Sequence, residues 1–322
     1  MRSVLDVPPA AAAAGAPQRR KTISALKDGK PTEAAPRQQL ERRRSYVRTH
    51  WPELGGDIER EGMVGGDNTM WSSFLARGAR AADAVGRVCV RDEPAERRAE
   101  GTGFLVSPSA LLTNYHVLDS ADTAALCVVE FGYEYDAVGK ERRAQTYQFD
   151  PERLFVADEG LDYALVAVAP LRAKVPGHRR GFLPLIAQTG KTRNGECLNL
   201  IHHPGGGRKK ISVRDSALLA IEETTLQYTG DTLGGSSGAP VLNDQWEVVG
   251  LHFGGKPKRD AKRRFLSVMG TLWDPEMGAH LKAYEYNVGS RVSRVLMDIE
   301  AQAPGLRCDR QLLESVLAGG IA

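Results

Sequence analysis

The sequence predicts an all-β, antiparallel protein, and three observations carry that reading. From about Val85 onward, short runs of β-branched and apolar residues recur with Gly, Pro, Asn or Asp between them, the pattern of strands joined by turns. No strand–helix alternation interrupts them, which argues against a doubly wound nucleotide fold. The runs close at SRVSRVLMDIEAQ, where Val292, Val295, Leu296 and Ile299 trace one helical stripe fit to dock on the outside of a barrel.

In chain order, the elements divide the 322 residues into four parts. Residues 1–48 are rich in Ala, Pro, Arg and Lys with almost no aromatic or β-branched side chains. That leaves too little apolar surface to offset the entropy of ordering, so they read as a flexible basic arm. Its charge sits in Arg19, Arg20 and Lys21 and again in Arg42, Arg43 and Arg44, a place for an acidic partner or nucleic acid, with a solubilising tail as the plainer reading. Residues 49–84 form a helical lead-in, with one helix near Met70 to Ala84 on which Trp71, Phe74 and Leu75 share a side. Residues 85–302 hold the strand runs GRVCVR, GTGFLV, ALLTNY, ALCVVEF, YALVAVA, CLNLIHH, KISVRDSALLAI, TLQYTG, APVLN, WEVVGLHF and FLSVMGTL, followed by the closing helix. Residues 303–322 are a tail with a short helix between Arg307 and Leu317.

An apolar fraction of 42%, a charged fraction of 26% and a net charge of +3 describe an ordinary globular chain with no global pull toward nucleic acid. Function must therefore reside in a site. Cys89, Cys127, Cys197 and Cys308 are far apart, with no CxxC pair and no histidine at ligand spacing, so neither a zinc site nor a disulfide framework is indicated and no metal or cofactor is expected. The alanine run Ala10 to Ala14 follows Asp6 and two prolines and lacks Leu and Ile, unlike a signal peptide. No apolar run approaches the length of a membrane span. The expected location is the cytoplasm.

The stretch TLGGSSGAPVLN, Thr232 to Asn243, places two serines in a glycine-rich turn before a strand. Glycine lets the backbone bend sharply and lets another group approach its N–H, which are the needs of an oxyanion hole. A surface turn is the alternative. A serine hydroxyl is inert at its free pKa and needs a base, and that base needs an orienting acid. Among the histidines, His116 alone follows an apolar strand and a Thr–Asn turn, in LLTNYHVL; a structural histidine at a strand end is the plain reading. Asp162, in GLDYALVAV, begins a nearly continuous apolar strand, where a carboxylate must find a partner or bear a heavy desolvation cost. An ordinary turn residue is its alternative.

The order GTGFLV, LLTNYHVL, LDYALV, GGSSGAPV over about Val85 to Ala301 resembles the chymotrypsin-like (trypsin-like) serine peptidases. The resemblance implies two antiparallel β-barrels of about six strands each, with His116 and Asp162 from the first barrel and Ser237 from the second. It implies His116 as general base, Asp162 as the group fixing its tautomer, and Ser237, which immediately precedes Gly238, as nucleophile. The main-chain N–H groups of Gly235 and Ser237 then form the oxyanion hole. GDTLGGSSGAPV followed by VVGLHFGG is similar to bacterial glutamyl endopeptidases. The longer stretch from LNLIHHPGGGRKKIS to VVGLHFGG, with the approach SSFLARGARAADAVGRV, is similar to intracellular trypsin-like peptidases of bacterial defence systems. A protein or peptide substrate follows, with a companion effector or sensor as a further partner. Digestive enzymes carry Asp immediately before the nucleophile to capture a newly cut N-terminus; here Ser236 stands there, so an unprocessed chain is expected to have a formed oxyanion hole or to receive one from a partner. Their disulfides have no counterpart among these cysteines.

For specificity, Asp231 stands six residues before Ser237, where trypsin carries the acid that selects Arg or Lys. His252, with Thr232 nearby, suits instead an acidic P1 residue, which is the reading adopted; a packed strand histidine is the alternative. Phe253, Gly254 and Gly255 offer an open strand edge for an extended peptide. GLHFGGKP nearly spells a phosphate-binding loop, but Pro257 stands where the magnesium-binding hydroxyl belongs and no helix pattern follows. HHPGGGRKK, His202 to Lys210, reads as a loop beside the cleft or as a solvated turn. The rival functions are a catalytically silent, peptide-binding pseudoprotease and a nucleic-acid tether acting through the basic arm.

Overall fold

The computed structural model describes residues 5–6, 15–54, 70–91 and 99–319. The elements in order are strand β1 (Leu5–Asp6), helices α1 (Ala16–Lys27), α2 (Arg37–His50) and α3 (Ser73–Asp83), then β2 (Val85–Val90), β3 (Ala99–Ser107) and β4 (Ala110–Thr113). Next come α4 (Ala121–Ala125), β5 (Cys127–Phe131), β6 (Gln145–Gln148), β7 (Phe155–Asp158), β8 (Tyr163–Ala167) and α5 (Gly177–Arg180). The second half holds β9 (Cys197–His202), β10 (Lys210–Ile221), β11 (Thr225–Tyr228), β12 (Pro240–Leu242), β13 (Val248–Pro257), β14 (Tyr284–Arg291), α6 (Val292–Gln302) and α7 (Arg310–Leu317).

Two sheets organise these strands. The first runs β6-β5-β2-β3-β4-β8-β7, and the second runs β1-β13-β12-β9-β10-β11-β14 with β13 also paired to β14. That last pairing closes six strands into an antiparallel barrel. The first sheet, expected as a second barrel, stays open. The end of edge strand β6 meets the end of the interior strand β8 at a bridge between Phe149 and Val168, and Pro151, two residues on, has no N–H to extend that ladder. On the two faces of the first sheet Val88, Phe104, Leu105, Leu111, Val129 and Leu165 are all fully buried, each contributing about 1.5–3 kcal/mol by leaving water. On α6, Val292, Val295, Leu296 and Ile299 are buried as the stripe requires. The tail helix α7 is capped by Asp309, whose carboxylate accepts from Leu312 N at 3.0 Å, and it buries Leu312, Leu313 and Val316.

Four further expectations need correction. Residues 16–50 of the expected flexible arm are two helices docked on the closed barrel. Arg43 reaches Glu196 at 2.9 Å and Gln245 at 2.7 Å, the Tyr46 hydroxyl donates to Glu247 Oε1 at 2.8 Å, and Arg19 bonds to Gln227 while its guanidinium lies over the Tyr286 ring. Few apolar residues are buried there; the docking is made by arginine and tyrosine side chains that lay their stems on the barrel and pair at their tips. With seven helices among the described residues, the chain is not purely all-β. On α3 the buried face is Phe74, Gly78, Ala81 and Ala82, while Trp71 and Leu75 are exposed. FLSVMGTL makes isolated bridges rather than a strand.

Candidate active site

The turn after β4 and the start of β8 bring His116 and Asp162 together. Asp162 has φ of 49°, a left-handed conformation that Asp tolerates better than most residues, and this bend aims its carboxylate back at the turn. Asn114 Nδ2 donates to the Asp162 carbonyl at 2.8 Å. The carboxylate then takes two bonds from one residue: Oδ1 accepts the His116 main-chain N–H at 3.0 Å, and Oδ2 stands 2.8 Å from the ring Nδ1. Both side chains are nearly buried, at 13% and 12% exposure, so the pair answers the desolvation cost that a lone carboxylate would bear there. A proton on Nδ1 held by the carboxylate makes Nε2 the proton-accepting atom of the ring.

Ser237 comes from the closed barrel and is stitched to the open sheet through β3. Thr102 N donates to the Ser237 carbonyl at 2.7 Å, and Thr102 Oγ1 donates to the Gly235 carbonyl at 2.7 Å. A methyl group at Gly101 would stand 2.8 Å from both the Ser237 carbonyl and Val117 Cγ2, so the Ser237 turn and the residue after His116 meet at one glycine. Gly238 has φ of 85°, and a side chain there would reach within 2.0 Å of the Thr102 carbonyl. Only glycine fits that approach. The Gly235 and Ser237 N–H groups donate to no acceptor among the described residues, whereas those of Ser236 and Gly238 bond to Leu233 O and His252 O.

Beneath the turn lies a support that sequence reasoning did not find. Ser236 Oγ sits 2.8 Å from His202 Nδ1 and accepts from Leu233 N at 3.2 Å. His202 is buried, and burial together with Lys210 pushes its pKa down to about 4, so the imidazole is neutral near pH 7. The loop after it touches the turn as well, with Gly205 N donating to Gly234 O at 2.6 Å. Arg87 Nη1 in turn donates to Gly206 O at 2.7 Å, from a pair with Glu130 at 2.6 Å. The local signals were the glycines of GTGFLV and the paired histidines of HHPGGG.

The expected specificity residues separate into two groups. The His252 main chain runs against the Ser237 turn, donating to Ala239 O at 2.9 Å. Its ring is fully buried, with Nδ1 2.7 Å from the Tyr228 hydroxyl and Nε2 without a partner; burial, with His202 and His116 nearby, pushes its pKa down to about 3. Phe253 is a bulge residue, since β14 pairs Gly289 with His252 and Val288 with Gly254, and it packs with Leu219, Tyr286 and Val288. Thr232 Oγ1 donates to Asn287 at 2.8 Å, while Asp231 is exposed. The edge expected to be open is occupied: β1 pairs parallel to β13, Leu5 opposite Gly254 and Asp6 opposite Gly255.

Among the described residues no three His, Cys, Asp or Glu side chains are grouped to hold a metal ion, and none of the four cysteines is in a disulfide. No helix among them is long and apolar enough to cross a membrane. The chain is similar to the uncharacterized protein y4fB of Sinorhizobium fredii, with 35% identity over 265 residues, 76% of this chain and 40% of that protein; it thus spans less than half the length of this curated relative. Residues 101–251, a span that contains His116, Asp162 and Ser237, match the model of the trypsin-like peptidase domain.

Proposed function

We propose that the chain is a serine endopeptidase that hydrolyses protein or peptide substrates, with Ser237 as nucleophile, His116 as general base and Asp162 holding the imidazole. The observation that carries this reading is the double hold of the Asp162 carboxylate on His116, at Nδ1 and at the main-chain N–H, within a domain similar to trypsin-like peptidases. Ser237 Oγ attacks the scissile carbonyl carbon as its proton passes to His116 Nε2. The oxygen that becomes negative is met by the Gly235 and Ser237 N–H groups, each worth on the order of a hundredfold in rate. Collapse breaks the C–N bond, His116 returns the proton to the departing amine, and an acyl ester remains. Water then repeats the sequence, losing a proton to His116, and frees the acid and the serine.

The P1 residue is assigned as acidic. A Tyr228 hydroxyl that burial keeps protonated donates to His252 Nδ1, which leaves Nε2–H as a buried, unpaired donor that a carboxylate would satisfy. Exposed Asp231 is poorly placed to select Arg or Lys at the floor of a pocket. Cysteines outside any disulfide suit a reducing cytoplasm, and the sequence likeness to peptidases of bacterial defence systems supports a regulated effector role beside a companion protein. The occupied edge at Gly254 and Gly255 favours one second reading, a silent module that holds a peptide.

A fluorophosphonate probe is expected to label the folded chain, and Ser237→Ala to abolish the labelling. Labelling that survives Ser237→Ala removes the nucleophile assignment, and a folded chain that binds peptide yet never labels supports the silent module. Peptide-library cuts after Arg or Lys would remove the acidic P1 assignment alone.

A further inference from the structure

Away from the candidate active site, a cavity of about 110 Å³ opens on the first sheet where β5 ends, lined by Asp83, Gly132, Arg142, Arg143, Gln145, Arg179 and Arg180. Four guanidinium groups from two separate segments thus face one carboxylate across a small space. Gathering like charges this closely is unfavourable unless anions balance them, and the internal balance is incomplete. Arg142 is paired, with Glu134 at 2.6 Å and Asp83 at 3.8 Å. Among the described residues no carboxylate lies at ion-pair distance from Arg143 or Arg179, and both side chains are exposed.

Arg180 is the most informative of the four. It is half-buried, its Nη2 donates to neutral Gln145 Oε1 at 2.8 Å, and its guanidinium lies 5.1 Å from the Phe131 ring centre. Its Nε is buried without any partner. Burial lowers its pKa from the usual arginine value, and Arg142 adds to that effect; a bound anion would oppose both. A planar guanidinium offers paired N–H groups in a fork that matches the oxygens of phosphate.

We infer that this cavity is a binding site for a phosphate group, held by Arg143, Arg179 and Arg180, with Gln145 and the Gly132 main chain as walls. The size of the space suits a single tetrahedral oxyanion, and the excess of guanidinium over carboxylate suits an ion of two or more negative charges. The phosphate group is supplied either by a free small anion or by a phosphorylated side chain of a protein, and both present the same chemistry to the three arginines. The site is separate from the proposed catalytic residues and stands whether or not Ser237 is a nucleophile.

The test is calorimetric titration of the full chain with inorganic phosphate, with pyrophosphate and with a phosphoserine peptide, at constant ionic strength set by sodium chloride. Saturable binding of phosphate with one site per chain is expected, at least about tenfold weaker in Arg143→Ala/Arg179→Ala because two charge-assisted bonds are lost. Both side chains are exposed, so the variant is expected to melt at the wild-type temperature without ligand; should it not fold, Arg179→Gln alone is expected to weaken binding several-fold. Tighter binding of pyrophosphate than of the peptide assigns a free anion, and the reverse assigns a phosphorylated protein. Equal binding by wild type and variant, or no saturable binding of any of the three probes, overturns the inference.

Discussion

Replacing Ser236 by Ala tests whether the oxyanion turn is held from within. Ser236 Oγ has two partners, His202 Nδ1 at 2.8 Å and Leu233 N at 3.2 Å, and both serine and histidine are buried. Alanine leaves a ring nitrogen and a main-chain N–H unpaired, each at a cost of about 1–3 kcal/mol. The turn can recover part of this by shifting toward another conformation, and Gly235 and Ser237 lie on either side of the substituted residue. If about 2 kcal/mol is expressed as loss of the competent turn, the rate falls roughly thirtyfold. On the proposed mechanism the Gly235 and Ser237 N–H groups act on charge that develops only in the transition state, so kcat should fall with KM little changed. The acylation burst with a p-nitrophenyl ester and the rate of fluorophosphonate labelling both read this out. A folded Ser236→Ala chain that acylates at the wild-type rate refutes the reasoning. The same result would show that the serine standing where digestive enzymes carry aspartate is a bystander.

Two further outcomes follow from buried groups and from the occupied edge. Burial lowers the pKa of His202 to about 4 and of His203 and His252 to about 3, so between pH 6.5 and about 4 the unfolded chain binds protons that the fold refuses. Stability contributed by these rings is fully present above pH 6.5 and falls on acidification, by up to about 1.4 kcal/mol per pH unit for each ring; a urea midpoint that stays flat from pH 7 to 4 contradicts this. A chain lacking residues 1–14 loses the pairing of Leu5 and Asp6 with β13. If substrate uses that edge, removing two main-chain contacts at about 1 kcal/mol each should lower KM by roughly tenfold or more, and an unchanged KM places the substrate elsewhere.

Much of the proposed site was legible because its signals are local. Asp162 stands at the head of an apolar strand, where burial demands a partner, and the partner is His116. The clamp of His202 on Ser236 was not legible, since it joins residues 34 positions apart and neither carries a local mark of the other. Strands β6 and β7 escaped notice because each has only four residues at a sheet edge, too short for alternation to register. The basic N-terminal segment misled for a different reason. Composition rules count apolar burial, and Arg43 and Tyr46 dock through Glu196 and Glu247, partners that lie about 150 and 200 residues downstream.

The placement of Ser237 is set by short bonds onto main-chain carbonyls. Thr102 takes hold of the turn at two carbonyls, those of Gly235 and Ser237, using its N–H and its hydroxyl, and its own carbonyl accepts from Thr113 Oγ1 at 2.7 Å. Thr113 ends β4, three residues before His116, so His116 and Ser237 are registered to each other through two threonines on neighbouring strands. A main-chain N–H and β-branched threonine hydroxyls have few rotamers to lose, which makes this registration stiffer than a contact between long side chains. It also depends on the absence of a side chain at Gly238, where a Cβ would collide with the Thr102 carbonyl. A chain so built has the turn assembled before any substrate arrives.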